Sequence, residues 1–376
     1  YAGLVNSKNV VSVLMQHFAL ACVVSVLWVI LGYSLAFSEG NEWIGGFSNI
    51  FMSAIGVDTP SGSIPESLFA TFQMTFAIIT PALMIGAFVE RIKFSAMLIF
   101  LSMWLLIVYV PVTHWVWGGG ILSSWGTMDF AGGIVVHATA GTAALVTALT
   151  LGKRRGFPKS ITPPHSPILT MIGASMLWIG WFGFNAGSAL GANGGAGMAM
   201  LVTHISAATA SLVWMFIEWK RFGKPSLIGI VTGMVAGLAT VTPASGYIGV
   251  PGGLILGFFG GLLCYLAVDF IRGKLQIDDS LDVFAVHGVG GILGTLLVAF
   301  LATSTFSGLG LAEGQTAVTQ FFVQLKAVIL TVVWTSVFTY LILKITSFIV
   351  PLRVEEQEEI EGLDLRSHGE KGYHSD

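Results

Sequence analysis

Charge is scarce in this chain. Only 10% of its 376 residues are Asp, Glu, Lys or Arg, against about 25% in soluble domains, and no long polar segment separates the apolar runs. That excludes an ordinary soluble enzyme or binding module. The 17 basic and 20 acidic side chains leave a net charge of −3, and no basic cluster is large enough to hold nucleic acid. Cysteine is equally sparse: Cys22 and Cys264 lie in separate apolar runs and read as small packing residues, not as a disulfide or metal site. The chain opens on YAGLVNSKNV, with neither an initiator Met nor the basic start of a signal peptide. The expectation is a start that was removed or is incomplete.

What is abundant is apolar. Hydrophobic residues make up 54% of the chain and the mean hydropathy is +0.82. Ten segments are long enough to cross a hydrocarbon core of about 30 Å at about 1.5 Å per residue. They fall near residues 10–36, 67–89, 94–116, 130–151, 167–189, 196–218, 226–247, 250–271, 283–304 and 318–350. The fold class expected is all-α, a polytopic membrane helix bundle over 1–350, followed by a polar tail at 351–376. Lys8, Arg91, Lys93, Lys153, Arg154, Arg155, Lys159, Lys220, Arg221, Lys224, Arg272 and Lys274 occupy alternate loops, with Lys344, Arg353, Arg366 and Lys371 at or after the last span. Excess Lys and Arg mark cytoplasmic loops, so that side and the C-terminus are expected to be cytoplasmic. The other side holds Glu39, Glu42, Asp58, Glu66, Asp129 and Glu313, with Lys326 its one basic residue.

Two stretches organise the rest. DFAGGIVVHATA (129–140) puts His137 in the fourth span, and DVFAVHGVGG (282–291) puts His287 in the ninth. Ionisable groups within a span are expensive and usually face a pore or a partner, and glycine-rich helices pack closely. Five spans apart, the two segments run in opposite directions. Thr80-Pro81-Ala82 and Thr242-Pro243-Ala244, in the second and seventh spans, obey the same offset. Matched pairs at one offset predict an inverted repeat with a site near the midplane. Zinc is a poor rival, since no third ligand sits at ligand spacing. A mutually bonded imidazole pair would line a narrow path. His17, His114 and His204 also lie in apolar runs, so location alone does not single the pair out.

Towards the acidic side, Phe72 and Phe76 share one helical face, Trp117 ends the third span, and Trp181, Phe184 and Ser188 share a face of the fifth. Such aromatics suit a cation cage, and equally a membrane-interface belt or core packing. Asp129 is expected first as a helix N-cap, with direct ligation of a cation as the alternative.

The segments YAGL…KNV, ERIKFSA, VWGGG, DFAGG…VH, GWFGFNAGSA, GKPSL, VTPASGYIG, DVFAVHGVGG and GLDLRSHGE resemble bacterial ammonium transporters of the Amt/Mep/Rh family, in the family's order and from residue 1 to about 373. The resemblance implies an eleven-helix inverted-repeat fold whose first helix is missing here, with Tyr1 near its end. It implies ammonium uptake without a cofactor, and no enzyme activity. Phe76, Trp117 and Ser188 match the outer ammonium site, with Asp129 supporting it. Phe76 and Phe184 match a stacked phenyl gate, and His137 and His287 the twin pore histidines. It further implies a homotrimer and a tail that meets the PII nitrogen-signalling protein. The alternative function is an ammonium sensor of the same fold that signals through its tail; an intramembrane acid–base enzyme, the third reading, lacks a nucleophile beside the histidines. The tail, Val354–Asp376, is expected to dock near Arg91 and Lys153, with Gly369 in a tight turn.

Overall fold

A computed structural model describes residues 1–373. Among those residues nine helices are long and apolar enough to cross a membrane: α1 (Ser7–Phe37), α2 (Glu66–Phe88), α3 (Phe94–Ser124), α4 (Gly133–Leu151), α5 (Pro167–Gly187), α6 (Gly194–Phe222), α8 (Val250–Lys274), α9 (Phe284–Leu301) and α10 (Ala317–Ile349). A tenth apolar helix, α7 (Leu227–Val241), is shorter. Each coincides with one of the ten expected spans.

Two boundaries differ from the expectation. The seventh segment is expected over 226–247, but α7 stops at Val241 and residues 242–247 turn. Pro243 explains the stop, because its ring removes a donor and crowds the preceding turn. Its carbonyl instead accepts the Phe130 amide at the head of the α4 segment. Pro81 of the matched tripeptide remains inside α2. The third segment runs past 116: its regular part closes at Trp117, three glycines bend, and Ile121–Ser124 adds one more turn. The loop between α1 and α2 carries a two-residue antiparallel pairing of Pro60–Ser61 with Ile64–Pro65, a minor departure from an all-α chain.

The bundle is held by two kinds of contact. Apolar side chains of α1 to α4 form the largest core, whereas α6, α7 and α8 approach through glycines 233, 237, 257 and 261. The long helix α10 buries a polar stripe, Gln320, Gln324, Thr331, Thr335, Thr339 and Thr346. Thr339 Oγ1 accepts the indole of Trp104 at 3.0 Å.

The basic loops converge at one end. Arg91 is fully buried there and donates to the Asp278 carbonyl at 2.7 Å and to Ser280 Oγ at 2.6 Å. Arg154 bridges Asp278 and Glu90, at 2.9 and 3.0 Å. The tail packs on this end. Val354 donates its amide to the Arg91 carbonyl, Arg353 reaches the Leu151 carbonyl at 3.0 Å, and α11 (Glu356–Glu361) follows. Lys8 Nζ donates to the Glu359 carbonyl at 2.9 Å, Asn9 Oδ1 accepts the Leu363 amide at 2.8 Å, and Asp364 Oδ1 accepts the Ser12 amide at 2.7 Å. Leu363 is buried and Gly369 is left-handed, φ +69°. The loop of Lys153 meets the tail through the Leu151 carbonyl, Lys153 itself reaches Gln276 Oε1, and residues 8–12 add further contacts. Residues 374–376 of the tail lie outside the described residues.

Candidate functional site

His137 stands at the start of α4, and that start is built by Asp129. Gly132 takes φ +114°, which turns the chain so that the next amides face back. The Asp129 carboxylate then accepts from Gly132 (2.9 Å), Gly133 (2.6 Å), Ile134 (2.8 Å) and Val135 (3.2 Å). These are the amides that a helix start leaves without intrahelical acceptors. Asp129 is 3% exposed, and its engagement with four donors is the capping arrangement; direct ligation would need it to release some of them.

His287 is preceded by a sparer version of the same contact at the other end. Asp279 Oδ2 accepts the Phe284 amide at 2.7 Å, and Asp279 precedes His287 by the same eight residues that separate Asp129 from His137. Asp282, which opens the second stretch in the sequence, lies instead beside Arg272 at 3.2 Å. Burial raises the Asp279 carboxyl to about 6 and that of Asp282 to about 7, against the opposing charge of Arg272. Both histidines sit in widened π-helical turns, Gly133–Ala138 and Phe284–Gly288, a local geometry concentrated at functional sites.

Absent side chains let the two turns meet. A Cβ on Gly141 would lie 2.3 Å from the backbone of Gly288, so only glycine permits this approach. The imidazoles consequently lie edge to edge in nearly parallel planes, with centroids 5.2 Å apart at 16°, and their Nδ1 atoms are 3.2 Å apart. One Nδ1 must donate and the other accept. His137 is wholly buried and its Nε2 has no partner among the described residues. His17, His114 and His204 turn to local partners instead: the Val13 carbonyl, the Ala36 and Asn41 carbonyls, and the Trp178 ring.

A column of aromatic rings runs from the pair towards the acidic end. His137 stacks on Trp181 (5.4 Å, 10°) and Phe184 (5.9 Å, 11°). Phe184 meets Phe76 at 4.6 Å, Phe76 meets Trp117 at 5.5 Å, and Phe72 flanks Phe76 at 4.9 Å. The Phe76 and Phe184 rings, expected to stack, cross instead at 63°, because the ring quadrupole favours edge-to-face contact over a parallel sandwich. Trp117 Nε1 donates to the Asp129 carbonyl at 2.9 Å. Ser188 Oγ donates to the Phe184 carbonyl at 2.9 Å, which leaves its lone pairs free to accept. Chemically, the column offers ring faces and a hydroxyl at one end, then phenyl edges, then one unpartnered imidazole nitrogen.

A family model described as the Ammonium Transporter Family matches residues 1–373. The chain belongs to the ammonium transporter family. It is 43% identical to an ammonium transporter of Bacillus subtilis (strain 168) over 99% of this chain and 93% of that one. It is 44% identical to Ammonium transporter Amt1 of Archaeoglobus fulgidus, with the same coverage of each chain. Among solved structures, a Sensor Amt Protein aligns with TM-score 0.90 at 28% identity, over 98% of this chain and 92% of that one. Mep2 of Saccharomyces cerevisiae aligns with TM-score 0.82 at 36% identity, over 95% and 85%. This ammonium transporter is thus a multi-pass membrane protein whose relatives are named as transporters, and it is not an enzyme.

Four residues, Trp181, Thr242, Asn185 and Asp279, make contacts at the site that the sequence alone does not assign to them. Trp181 was grouped with the outer aromatics, yet it packs on His137. Thr242 Oγ1 accepts its indole at 2.9 Å and donates on to the Leu238 carbonyl, while Asn185 donates to Thr203 at 2.9 Å beneath. Asp279 lies just before the 282–291 stretch, and the repeated eight-residue spacing to the histidine is the signal that marks it. The cap makes a testable demand. Asp129→Asn replaces one acceptor oxygen by a donor that faces other donors, so it should destabilise the fold by about 1–3 kcal/mol, seen as a lower midpoint of thermal unfolding in detergent. An unchanged midpoint with weakened substrate affinity would make Asp129 a ligand rather than a cap.

Proposed function

We propose that this transporter carries ammonium into the cell, with its acidic end outside and its basic loops and tail in the cytoplasm. Ammonium binds at the outer end between Trp117, Phe76 and Ser188, with Asp129 supporting the site from below. The rings of Phe76 and Phe184 then act as a gate above His137 and His287. Magnitudes decide what crosses the gate. A cation over an aromatic face gains roughly 0.5–2 kcal/mol, whereas an isolated ammonium in a medium of low dielectric costs tens of kcal/mol. The cage can therefore concentrate the ion but cannot carry it through the ring column. Transfer of the proton to water at the outer end, before the phenyl rings, removes that penalty, and potassium has no proton to give. Ammonia then passes along the histidines, whose neutral nitrogens accept or donate single hydrogen bonds. The observation that carries this reading is the imidazole pair, joined at Nδ1 and buried at the end of the aromatic column.

A second reading, a sensor of the same fold, is favoured by the docked tail and by the likeness to the Sensor Amt Protein. In either case the tail is a regulatory element that couples the basic loops to the pore and meets PII protein. Three copies assemble, each with its own path through lipid; a native mass equal to one chain would refute the trimer.

Transport into proteoliposomes tests the path. His137→Ala and His287→Ala should alter ammonium-over-potassium selectivity or abolish transport in folded protein, and Trp117→Leu should weaken apparent affinity for methylammonium more than it lowers stability. Wild-type selectivity in both histidine variants would remove the pore role, and unchanged affinity would remove Trp117 from the cage. For the tail, Gly362 is the sensitive point. It holds φ +103° and an added Cβ would lie 2.7 Å from Lys8, so Gly362→Ala should undock the tail, raise its protease sensitivity and reduce transport. Gly369→Asp should act in the same direction through backbone strain alone. A chain ending at Val354 that transports at the full rate and responds normally to PII would contradict a regulatory tail.

A further inference from the structure

Helix α10 contributes neither a histidine nor a ring to the column, yet it buries a glutamine against both histidine helices. Gln324 is fully buried, and every polar atom of its amide is engaged. Its Oε1 accepts from the Met128 amide at 2.8 Å and from Gln320 Nε2 at 3.1 Å. Its Nε2 donates to the Met128 carbonyl at 2.7 Å and to the Thr295 carbonyl at 2.9 Å. Gln320 extends the clasp, donating to the Gly126 carbonyl at 3.0 Å. Met128 is thus gripped at both backbone groups.

The grip sits one residue before the point where the two parts of the path join. The Asp129 carbonyl receives the indole of Trp117, and its carboxylate receives the amides that begin the His137 turn. Thr295, the other end of the clasp, lies two turns beyond His287 on α9. We infer that Gln324 is a positioning residue for ammonium recognition, fixing Asp129 and through it Trp117 and the His137 turn relative to the His287 helix. This rests on the aromatic site proposed above. The chemistry demands a carboxamide: two carbonyls require donors and one amide requires an acceptor. Methionine matches the volume and supplies neither, and a carboxylate lacks the donors.

Simple gluing of α10 to the bundle is the competing role, since buried polar contacts between membrane helices often do no more. Thr339, which accepts the Trp104 indole on the same stripe, is a control for it. Methylammonium uptake into proteoliposomes should show the half-saturation concentration of Gln324→Met raised about three- to tenfold, with Thr339→Val at the wild-type value. Wild-type half-saturation in Gln324→Met, or an equal rise in Thr339→Val, would overturn the inference. Should Gln324→Met not fold, Gln320→Met decides: a smaller rise supports the clasp, and none overturns it. Trp117→Leu guards the reading beneath. Wild-type half-saturation there removes the aromatic site and this inference together, whereas a shifted Trp117→Leu beside an unshifted Gln324→Met removes the inference alone.

Discussion

The structure depends on bringing two imidazoles into contact inside an apolar bundle. A buried polar group without a partner costs roughly 2–7 kcal/mol, depending on the reference state. Each ring offsets part of that penalty for the other through the Nδ1 contact, but only if two helix backbones come close enough. The glycines at 141 and 288 allow the approach. The π-helical turns swing the rings inward, and the carboxylates of Asp129 and Asp279 satisfy the amides that those turns begin with. Removing any of these leaves the pair either apart or unsupported.

From that contact the rest of the path follows as a graded change of surroundings. Trp117 and Ser188 lie at the end of the ring column away from the imidazole pair. Phe76 and Phe184 close that region with ring edges, and beyond them Trp181 flattens the wall beside His137. The same Asp129 serves two purposes at once: its side chain begins the His137 turn while its carbonyl holds the Trp117 indole. The Trp117 indole and the His137 turn are therefore mechanically joined through one residue. Helix α10 grips the residue just before that joint.

Much of this was legible in the sequence, for definite reasons. Apolar length is a strong signal, so all ten helices fell where hydropathy put them. The histidines stood out because a charged-type residue in a span needs an explanation, and the offset of five spans tied them together. The resemblance to ammonium transporters supplied Phe76, Trp117, Ser188 and Phe184. What the chain hid were contacts between residues far apart. Gln324 meets Met128 across 196 positions, and only its place in a lipid span, four residues after Gln320, hinted at burial. The crossing angle of Phe76 on Phe184 and the contacts of residues 8–12 with the tail depend on how whole helices settle against each other. A single sequence does not encode those in any local pattern.

The most direct measurement is nitrogen-15 solid-state NMR of histidine-labelled protein reconstituted in lipid at neutral pH. An Nδ1-to-Nδ1 hydrogen bond between neutral rings requires unlike tautomers: one imidazole carries its proton on Nδ1 and the other on Nε2. The account predicts those two patterns for His137 and His287, assigned by the single variants, with a through-space correlation between the Nδ1 atoms. Two like tautomers without that correlation would contradict it, and with it the bonded pair on which the path is built.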